Sequence, residues 1–463
     1  MASLNKRIAV IGGGYSGIAS LVALKEEGCF DIVCLEKTGN YAGTWCYKEE
    51  TDFGVASIMP TTHMVSSKEI SAISNFPPRK EYSNFMKHAQ VYEYIQEYAK
   101  LHDVLKYIQF NSEVTEVKRC DDFEETGRWT FSVKNTMTNE KPLAFVMVYL
   151  SARSGVHVVN RIGLNGIPYD YALFRPYLYQ LWDIFPVKYV SWCLETGYID
   201  VQFNHKLYPV VPKKHLLTKD PSVTSNFSAK LINGSVIQKP GIERFTEDGV
   251  IFEGETEVTK ADVVIMATCY TWKFPLLEEG VLIQDDDRLN LYKCVFPIQL
   301  KPPTLAIVAF ILPYGPGFPP VELQCRWVAK VFAGKCKLPS EKKMLKDAKK
   351  RYKTNIARYG RGDKVSIKVD FIQYCDEIAA EFGAKPDLLK YFFTDIKLFS
   401  KIMFGPSLAY QYRLQGPHSL DGAREAIMTC EDRVLYPLAR RESNVHENIF
   451  KNLFRKSLLA MVF

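Results

Sequence analysis

The sequence lacks an apolar run long enough to cross a lipid bilayer as a helix. Such a helix needs roughly 18 consecutive apolar residues, and no stretch of the 463 residues reaches that length. The charged and apolar leader of a secretory signal peptide is also missing, because Met1–Lys6 leads directly into a predicted strand. We therefore expect a chain without spanning helices and without a secretory leader.

Cysteine and histidine occur without the spacings that would give them a chemical role. The 11 cysteines include no C-x-x-C pair, which favours a reduced, cytosol-facing protein. The 8 histidines show no H-x-x-x-H or similar spacing, so we predict no metal site. The net charge of +7 is too weak to predict nucleic-acid binding, although it suits an anionic cofactor or a membrane surface.

Internal repeats and low-complexity segments are absent as well. The composition is 47% apolar and 24% charged, which is typical of a globular protein and excludes global disorder. A chain of 463 residues can bury a large core, so we expect two or three lobes.

The most informative stretch is the first 45 residues. Arg7–Ile11 is apolar and rich in β-branched residues, as in a buried strand. A glycine-rich turn follows, Gly12-Gly13-Gly14-Tyr15-Ser16-Gly17, and then a predicted helix, Ile18–Glu27. A second predicted strand, Ile32–Leu35, ends in Glu36. This is the order of a dinucleotide-binding unit.

Each part of this unit has a physical role. Gly12 allows the tight turn, Gly14 lets the backbone approach a pyrophosphate, and Gly17 lets the helix pack closely on the strand. The helix N-terminus offers unpaired N–H groups to phosphates. Glu36 is placed to accept hydrogen bonds from ribose hydroxyls. The alternative is a glycine-rich turn that binds no ligand.

Two further patterns follow, of which the first has two interpretations. Gly43-Thr44-Trp45 either walls a flat ring system or places an indole as a cap on the core. Three apolar runs predict buried strands: Ala144–Leu150, Ala261–Thr268 and Thr304–Leu312.

Aromatic residues recur at helical spacing in one stripe. Its members are Phe174, Tyr177, Leu178, Leu181, Trp182 and Phe185. The stripe is either a core-facing helix or an interfacial one, since aromatic rings prefer the membrane interface. The last fifteen residues are amphipathic and too short to span, but long enough to lie on a surface.

Taken together, these residues resemble the flavin-containing monooxygenases, microsomal enzymes that oxygenate soft nucleophiles. The N-terminal unit with Gly43-Thr44-Trp45 resembles that family's FAD site, and Ser66-Ser67-Lys68-Glu69 is similar to a family segment. Ala267-Thr268-Cys269-Tyr270 stands for the family's Ala-Thr-Gly-Tyr. Further matching segments are Leu105–Phe110, Pro303–Ile307, Glu322–Gln324 and Asp421–Arg424.

The resemblance implies an enzyme with FAD and NADPH as cofactors. In the family, NADPH reduces FAD, oxygen adds at flavin C4a, and the hydroperoxide oxygenates an amine or sulfide substrate. Retained NADP⁺ shields that intermediate while the protein positions the cofactors and excludes solvent. The resemblance also implies attachment to the endoplasmic reticulum membrane, the alternative being a cytoplasmic protein.

The chain departs from the family in the middle. The family has a second Gly-x-Gly-x-x-Gly there, for NADPH, and this sequence has none. The family segments that flank it are joined near Val148/Tyr149, which implies that about 30 residues or more are missing. Arg153 resembles the family's arginine near the NADPH 2′-phosphate, without the loop that should accompany it.

Two single positions also depart from the family. Val65 stands where the family has the Asn that hydrogen-bonds flavin and NADP⁺, and valine offers neither donor nor acceptor. Cys269 replaces a glycine, at a cost of roughly 1 kcal/mol or more if that glycine has φ > 0. Because Val65 replaces the only side chain that the resemblance would place at the reaction, the catalytic residues are left unassigned.

The predicted fold class is therefore α/β, with a Rossmann-like, three-layer FAD domain and a truncated second nucleotide-binding domain. We expect the FAD domain in two parts, 1–148 and 265–430, with the truncated NADPH domain at 149–264 and a tail at 431–463. The predicted cofactor-binding residues are Gly12, Gly13, Gly14, Tyr15, Ser16, Gly17, Glu36, Thr44, Trp45, Ser66 and Arg153.

Three hypotheses follow for the function. The first is an FAD- and NADPH-dependent monooxygenase that uses O₂ on amines or sulfides. The second is a catalytically impaired flavin-binding pseudoenzyme that lacks the NADPH site. A flavoprotein oxidase or disulfide reductase ranks last, because the latter needs a redox C-x-x-C. Peripheral membrane association is compatible with each hypothesis.

Overall fold

A computed structural model describes residues 6–49, 58–135, 148–151, 155–163, 166–208, 211–265, 273–285, 288–362 and 364–438. By its internal contacts the chain divides into two compact units. The first unit comprises residues 1–142, 170–179 and 274–442, and the second comprises residues 143–169, 180–273 and 443–463. The predicted domains 1–148, 149–264 and 265–430 remain predictions, since this division follows contacts alone.

The strands are β1 Lys6–Ile11, β2 Phe30–Leu35, β3 Ile108–Gln109, β4 Ser112–Arg119, β5 Trp129–Asn135, β6 Val148–Ser151, β7 Val158–Val159, β8 Ser222–Val223, β9 Val236–Lys239, β10 Ile242–Thr246, β11 Gly249–Phe252, β12 Thr259–Lys260, β13 Gln284–Asp285, β14 Arg288–Leu289, β15 Leu291–Tyr292, β16 Phe296–Pro297, β17 Leu312–Tyr314 and β18 Lys368–Asp370.

The helices are α1 Tyr15–Glu27, α2 His88–Leu101, α3 Phe123–Thr126, α4 Tyr169–Leu173, α5 Pro176–Ile184, α6 Val187–Leu194, α7 Asp200–Gln202, α8 Phe227–Ile232, α9 Phe318–Phe332, α10 Glu341–Tyr359, α11 Phe371–Glu381, α12 Leu388–Thr394, α13 Ile396–Phe404, α14 Ala423–Met428 and α15 Cys430–Leu435.

The first unit is organised around a parallel sheet in the order β1-β2-β3. β1 pairs with β2 along its whole length, from Lys6 with Phe30 to Ile11 with Leu35. Between them α1 begins directly after the glycine turn and ends at Gly28, whose left-handed φ of 70° closes the helix. The predicted order of strand, glycine turn, helix and strand is confirmed.

The core of this unit lies between α1 and the helices packed on it. Ile18 and Leu21 of α1 are fully buried and share one apolar cluster with Cys325 of α9 and Val91 of α2. The same cluster includes the aromatic rings of Tyr94 and Tyr98 of α2. Burying each large apolar side chain contributes about 1.5–3 kcal/mol, so this packing fixes α1 against the sheet.

The predicted strand Thr304–Leu312 is wrong over most of its length. Only its last residue lies in a strand, β17, which pairs in parallel with β18. Ala309 has φ 64°, which interrupts an extended chain, and its N–H donates to Gln324 Oε1 at 2.8 Å. An apolar run predicts burial but not a pairing partner. In the predicted strand Ala261–Thr268, the described residues 261–265 are not in a strand, and the remainder lies outside the described residues.

The second unit contains short paired strands. β6 pairs with β9 and β7 with β8, both in parallel, while β10, β11 and β12 form an antiparallel sheet. β6 is the described part of the predicted strand Ala144–Leu150. Val158 and Phe203 form a small apolar core.

The aromatic stripe changes character along its length. Phe174 and Leu178 are buried, whereas Leu181 is 46% exposed and Phe185 is 50% exposed. Its first half therefore packs in the core, and its second half faces outward. Among the helices that the structure describes, none is both long enough and apolar enough to cross a bilayer.

A buried ion pair fixes the end of the first unit. Arg433 of α15 donates from Nε and Nη2 to the two oxygens of Glu69, at 2.9 and 3.0 Å, and Tyr410 also donates to this carboxylate. Glu69 is completely buried. The first unit thus includes α15, most of which lies within the predicted tail 431–463.

Removing Arg433 should strongly destabilise the protein. Arg433→Met leaves the Glu69 carboxylate buried without its cation, and breaking a buried pair from one side costs about 3–5 kcal/mol. The free energy of unfolding, measured by urea denaturation, should fall by that amount. The control is Arg424→Met, because the pair of Arg424 with Asp395 is half exposed. The Arg424→Met substitution should lower the free energy of unfolding by at most about 1 kcal/mol. Equal losses for the two variants would contradict this account.

Candidate cofactor site

The glycine turn joins β1 to α1 in a geometry that side chains would prevent. Gly12 has φ 96°, a conformation that residues with a side chain rarely adopt, and its N–H donates to the carbonyl of Leu35 at 2.9 Å. A Cβ atom on Gly17 would lie 2.0 Å from the Gly12 carbonyl oxygen. The turn and the first helical turn are therefore held against each other as the fingerprint predicts.

The start of α1 has no internal partner for its backbone donors. The first N–H groups of any α-helix lack intrahelical acceptors. Gly14 occupies the N-cap position without a side-chain cap, and the first turn contains no acidic residue. The helix dipole adds about half a positive charge at this end. This arrangement favours an external anion, such as a diphosphate.

Glu36 follows β2 and points at the turn. It is 7% exposed, and its Oε2 accepts the N–H of Gly13 at 2.6 Å. Its Oε1 accepts from both the N–H and the hydroxyl of Thr38, each at 2.8 Å. A carboxylate has about four acceptor positions, so one position remains for a ribose hydroxyl. These bonds fix the side chain in place before any ligand arrives.

The Gly43–Trp45 segment is a short helical turn beside the glycines. The N–H of Ala42 donates to the carbonyl of Gly13 at 2.9 Å, and a Cβ on Gly43 would lie 3.1 Å from the Gly14 Cα. Thr44 is exposed, and Trp45 is partly buried. The structure thus brings these predicted residues together with the turn.

Aromatic rings line the same end of α1. Tyr15 stacks on Phe318 at 3.9 Å, and its hydroxyl donates to the Phe318 carbonyl at 3.1 Å. Trp45 meets Phe318 edge to face at 6.5 Å. Both roles of Trp45, ring wall and core cap, stay open, because it packs on the core and is also partly exposed. The sequence analysis missed Phe318, since nothing local connects it with the glycine turn.

Ser66 lies in a separate, tightly held loop. Ser66 and Ser71 share a hydrogen bond of 2.6 Å between their hydroxyls, and the N–H of Ser67 donates to Asp170 Oδ2 at 2.6 Å. Lys68 donates to the carbonyls of residues 79, 80 and 82, and burial lowers its pKa to about 8. By contrast, Val65 is 53% exposed.

Two predicted positions cannot be placed in this geometry. Arg153 and Cys269 lie outside the described residues, so their roles stay predictions. Within the described ranges, no group of three or more His, Cys, Asp or Glu side chains is arranged to hold a metal ion.

The parallel sheet, the glycine turn and the carboxylate of Glu36 define a dinucleotide-binding α/β protein. A model of the family described as flavin-binding monooxygenase-like matches residues 5–147 and 142–463. The chain therefore belongs to the flavin-binding monooxygenase family. This confirms the resemblance, the α/β class and, at the level of the family, an enzyme that works with FAD and NADPH.

Individual relatives agree with this assignment. Dimethylaniline monooxygenase (N-oxide-forming) 2 of Rattus norvegicus is 33% identical over 502 residues, covering 94% of each chain. Flavin-containing monooxygenase 5 of Cavia porcellus is 34% identical, covering 99% of this chain and 98% of its own. Among solved structures, S-allyl-L-cysteine S-oxygenase from Allium sativum covers 92% of this chain and 99% of its own, with a TM-score of 0.55. At 20% identity that likeness supports the fold alone.

A methyl group at Gly14 tests whether the turn binds FAD. A Cβ there makes only an ordinary contact of 3.7 Å within the protein, so Gly14→Ala should leave folding unchanged. The methyl group would separate the backbone from the diphosphate, and losing one or two charge-assisted hydrogen bonds lowers affinity about tenfold or more. FAD titration followed by flavin fluorescence measures the effect.

The matched control is Gly422→Ala, which also places a methyl group at a helix N-cap with nothing within 4 Å. It should retain the wild-type FAD affinity. Unchanged affinity in Gly14→Ala, with a circular dichroism spectrum like the wild type, would exclude the turn as the diphosphate site.

Proposed function

We propose that this protein binds FAD on the Gly12–Gly17 turn and uses NADPH and O₂ to oxygenate the nitrogen or sulfur of soft nucleophiles. The observation that carries the proposal is the uncapped start of α1 beside the buried carboxylate of Glu36. Family membership supports the same reaction class. The name of the rat relative, an N-oxide-forming enzyme, supports amines as substrates. Sulfides are included because the resemblance to the family implies them.

The donors and acceptors at the turn suit the chemistry of FAD. The N-terminal N–H groups of α1 would hold the diphosphate, and Glu36 would accept from the adenosine ribose. Thr44, Trp45 and Ser66 would also contact the cofactor. When bound and reduced, FAD supplies the activation of O₂. The protein's own part is to bind, orient and exclude water.

The residues described for the second unit do not fit a second dinucleotide. Among the described residues, no glycine-rich turn that opens a helix follows β6, and the first helix after it is α4. The two matched stretches of the family meet at residues 142–147, beside the predicted junction Val148/Tyr149. The alignment with the rat relative runs over 502 residues, more than this chain contains, so it includes gaps in this chain. We therefore derive no step through NADPH.

This mismatch favours the second candidate, a flavin-binding pseudoenzyme. Val65 supports the same candidate, because an exposed valine stands where the resemblance places a hydrogen-bonding amide. The two candidates share the FAD site and differ only in whether NADPH can reduce the bound flavin.

Anaerobic reduction separates the two candidates. The purified, FAD-reconstituted protein is mixed with NADPH while the visible flavin absorbance is followed, and dithionite serves as a reductant that needs no binding site. Bleaching by NADPH at a catalytic rate, with a sulfoxide formed from a thioether once air is admitted, supports the monooxygenase. Flavin that dithionite reduces and NADPH does not supports the pseudoenzyme. A protein that retains no flavin contradicts both candidates.

We also propose peripheral attachment to the endoplasmic reticulum membrane, with the cytoplasm as the alternative location. The resemblance to the microsomal family supports it, and so does an exposed apolar surface on α5, α6 and the turn between them. Its residues are Leu181, Ile184, Phe185, Tyr189 and Trp192, between 46% and 72% exposed. Exposed aromatic and aliphatic side chains of this kind are typical of helices that lie in the bilayer interface.

Acidic residues on this surface should weaken membrane binding. The double variant Ile184→Glu with Trp192→Glu removes two large apolar side chains, each worth about 1.5–3 kcal/mol when buried in lipid, so binding should weaken at least about tenfold. The fraction of protein that sediments with vesicles of phosphatidylcholine and phosphatidylserine measures membrane binding. Val133→Glu, on exposed β5, is the control. Equal sedimentation of all three proteins would contradict this attachment.

A further inference from the structure

Residues 170–179 lie within the first compact unit, although the chain on either side belongs to the second. Phe174 meets Phe371 edge to face at 5.8 Å, and the N–H of Ser407 donates to the Phe174 carbonyl at 2.7 Å. Arg175 donates to the carbonyl of Phe404 at 3.2 Å. This ten-residue segment is therefore a fixed part of the unit that carries the glycine turn.

Asp170 begins this segment and contacts the Ser66 loop directly. Its side chain is completely buried, and Oδ2 accepts the N–H of Ser67 at 2.6 Å. Its other oxygen, Oδ1, is buried without a hydrogen-bond partner among the described residues. An incompletely paired buried carboxylate costs free energy, so the fold does not gain stability from this atom.

The Ser67 N–H is one of several backbone groups in this loop that are held by hydrogen bonds. The N–H of Met64 donates to Met86 and that of Lys68 donates to Asn84, both through backbone carbonyls. Asp170 differs from these acceptors because it carries a charge, and charge-assisted hydrogen bonds are roughly twice as strong as neutral ones. The loop between the two backbone anchors contains the exposed Val65.

We propose that Asp170 is a positioning residue for the bound flavin, which acts by holding the Ser67 N–H and so fixing the Val65–Ser66 turn against the cofactor. This inference rests on the proposed FAD site, with Ser66 as one of its residues. Asp170 itself does not contact the flavin in this account. Its effect on the cofactor passes through the backbone of Ser67.

The protonation state of Asp170 sets the strength of this hold. Burial raises its pKa to about 6, against the opposing hydrogen bonds from Ser67 and the backbone. The charged groups of the facing loop are engaged elsewhere, Lys68 with backbone carbonyls and Glu69 with Arg433. On its own helix, the neighbouring titratable groups are the buried phenols of Tyr169 and Tyr171. The carboxylate therefore accepts strongly above about pH 6 and weakly below it.

The flavin spectrum reports the position of this turn. We expect the visible absorption of FAD bound to the full-length wild-type protein to change between about pH 5 and pH 8, with a midpoint near 6. Asp170→Asn cannot ionise and should abolish the transition, holding the spectrum near the acid form throughout. Asp170→Glu retains an ionisable group and should restore a transition with a shifted midpoint.

The matched control is Asp376→Asn, since Asp376 is a partly buried carboxylate whose pKa is also raised by desolvation and which accepts from Tyr412 rather than from the loop. It should keep the wild-type midpoint. A wild-type spectrum that is independent of pH overturns the proposal, as does a folded Asp170→Asn protein that keeps the transition. If Asp170→Asn fails to fold, the pH titrations of the wild type and of Asp170→Glu still test whether Asp170 causes the spectral transition. Failure of the wild type to bind FAD would instead remove the proposed site itself, and the inference with it.

Discussion

The unpaired N–H groups at the start of α1 are the constraint on which the rest of the structure depends. They favour an anion, because Gly14 supplies no side-chain cap and the first turn contains no acid. The close approach of that anion requires glycine at the turn, and Gly17 allows the helix to pack directly over Gly12. In the proposed site, Glu36 accepts from a ribose hydroxyl, which would favour a ribose-bearing anion over a free phosphate.

Buried charges outside the turn hold its surroundings rigid. Glu69 pairs with Arg433, and Glu322 pairs with Arg413 at 3.0 Å, so that segments more than 90 residues apart in sequence are fixed together. Both pairs are nearly excluded from solvent, where removing one partner is costly. The Glu69–Arg433 pair and the bond from the Ser67 N–H to Asp170 thereby anchor the loop of Ser66. A cofactor bound there would meet a surface that is already organised.

The sequence predicted the turn, α1 and Glu36 because their geometry follows from local rules: β-branched residues, glycine at fixed spacing, and an acid after the second strand. It did not predict the bond between Ser67 and Asp170, since residues 103 positions apart leave no local signal of contact. The error at Thr304–Leu312 has a similar origin, because apolar character specifies burial and leaves the pairing partner open. Val65 was noticed only through the resemblance.

The chain differs most from its family in the second unit, because it lacks the second Gly-x-Gly-x-x-Gly that the resemblance predicts there. The central claim, however, concerns the first unit: the chain recognises the diphosphate and adenosine of FAD, not only the flavin ring. Equilibrium titration with FAD and with FMN, which lacks the adenosine and the second phosphate, tests that claim most directly. The account predicts that FMN binds at least about a hundredfold more weakly, because it forgoes several charge-assisted hydrogen bonds. Equal affinities for the two flavins would contradict it.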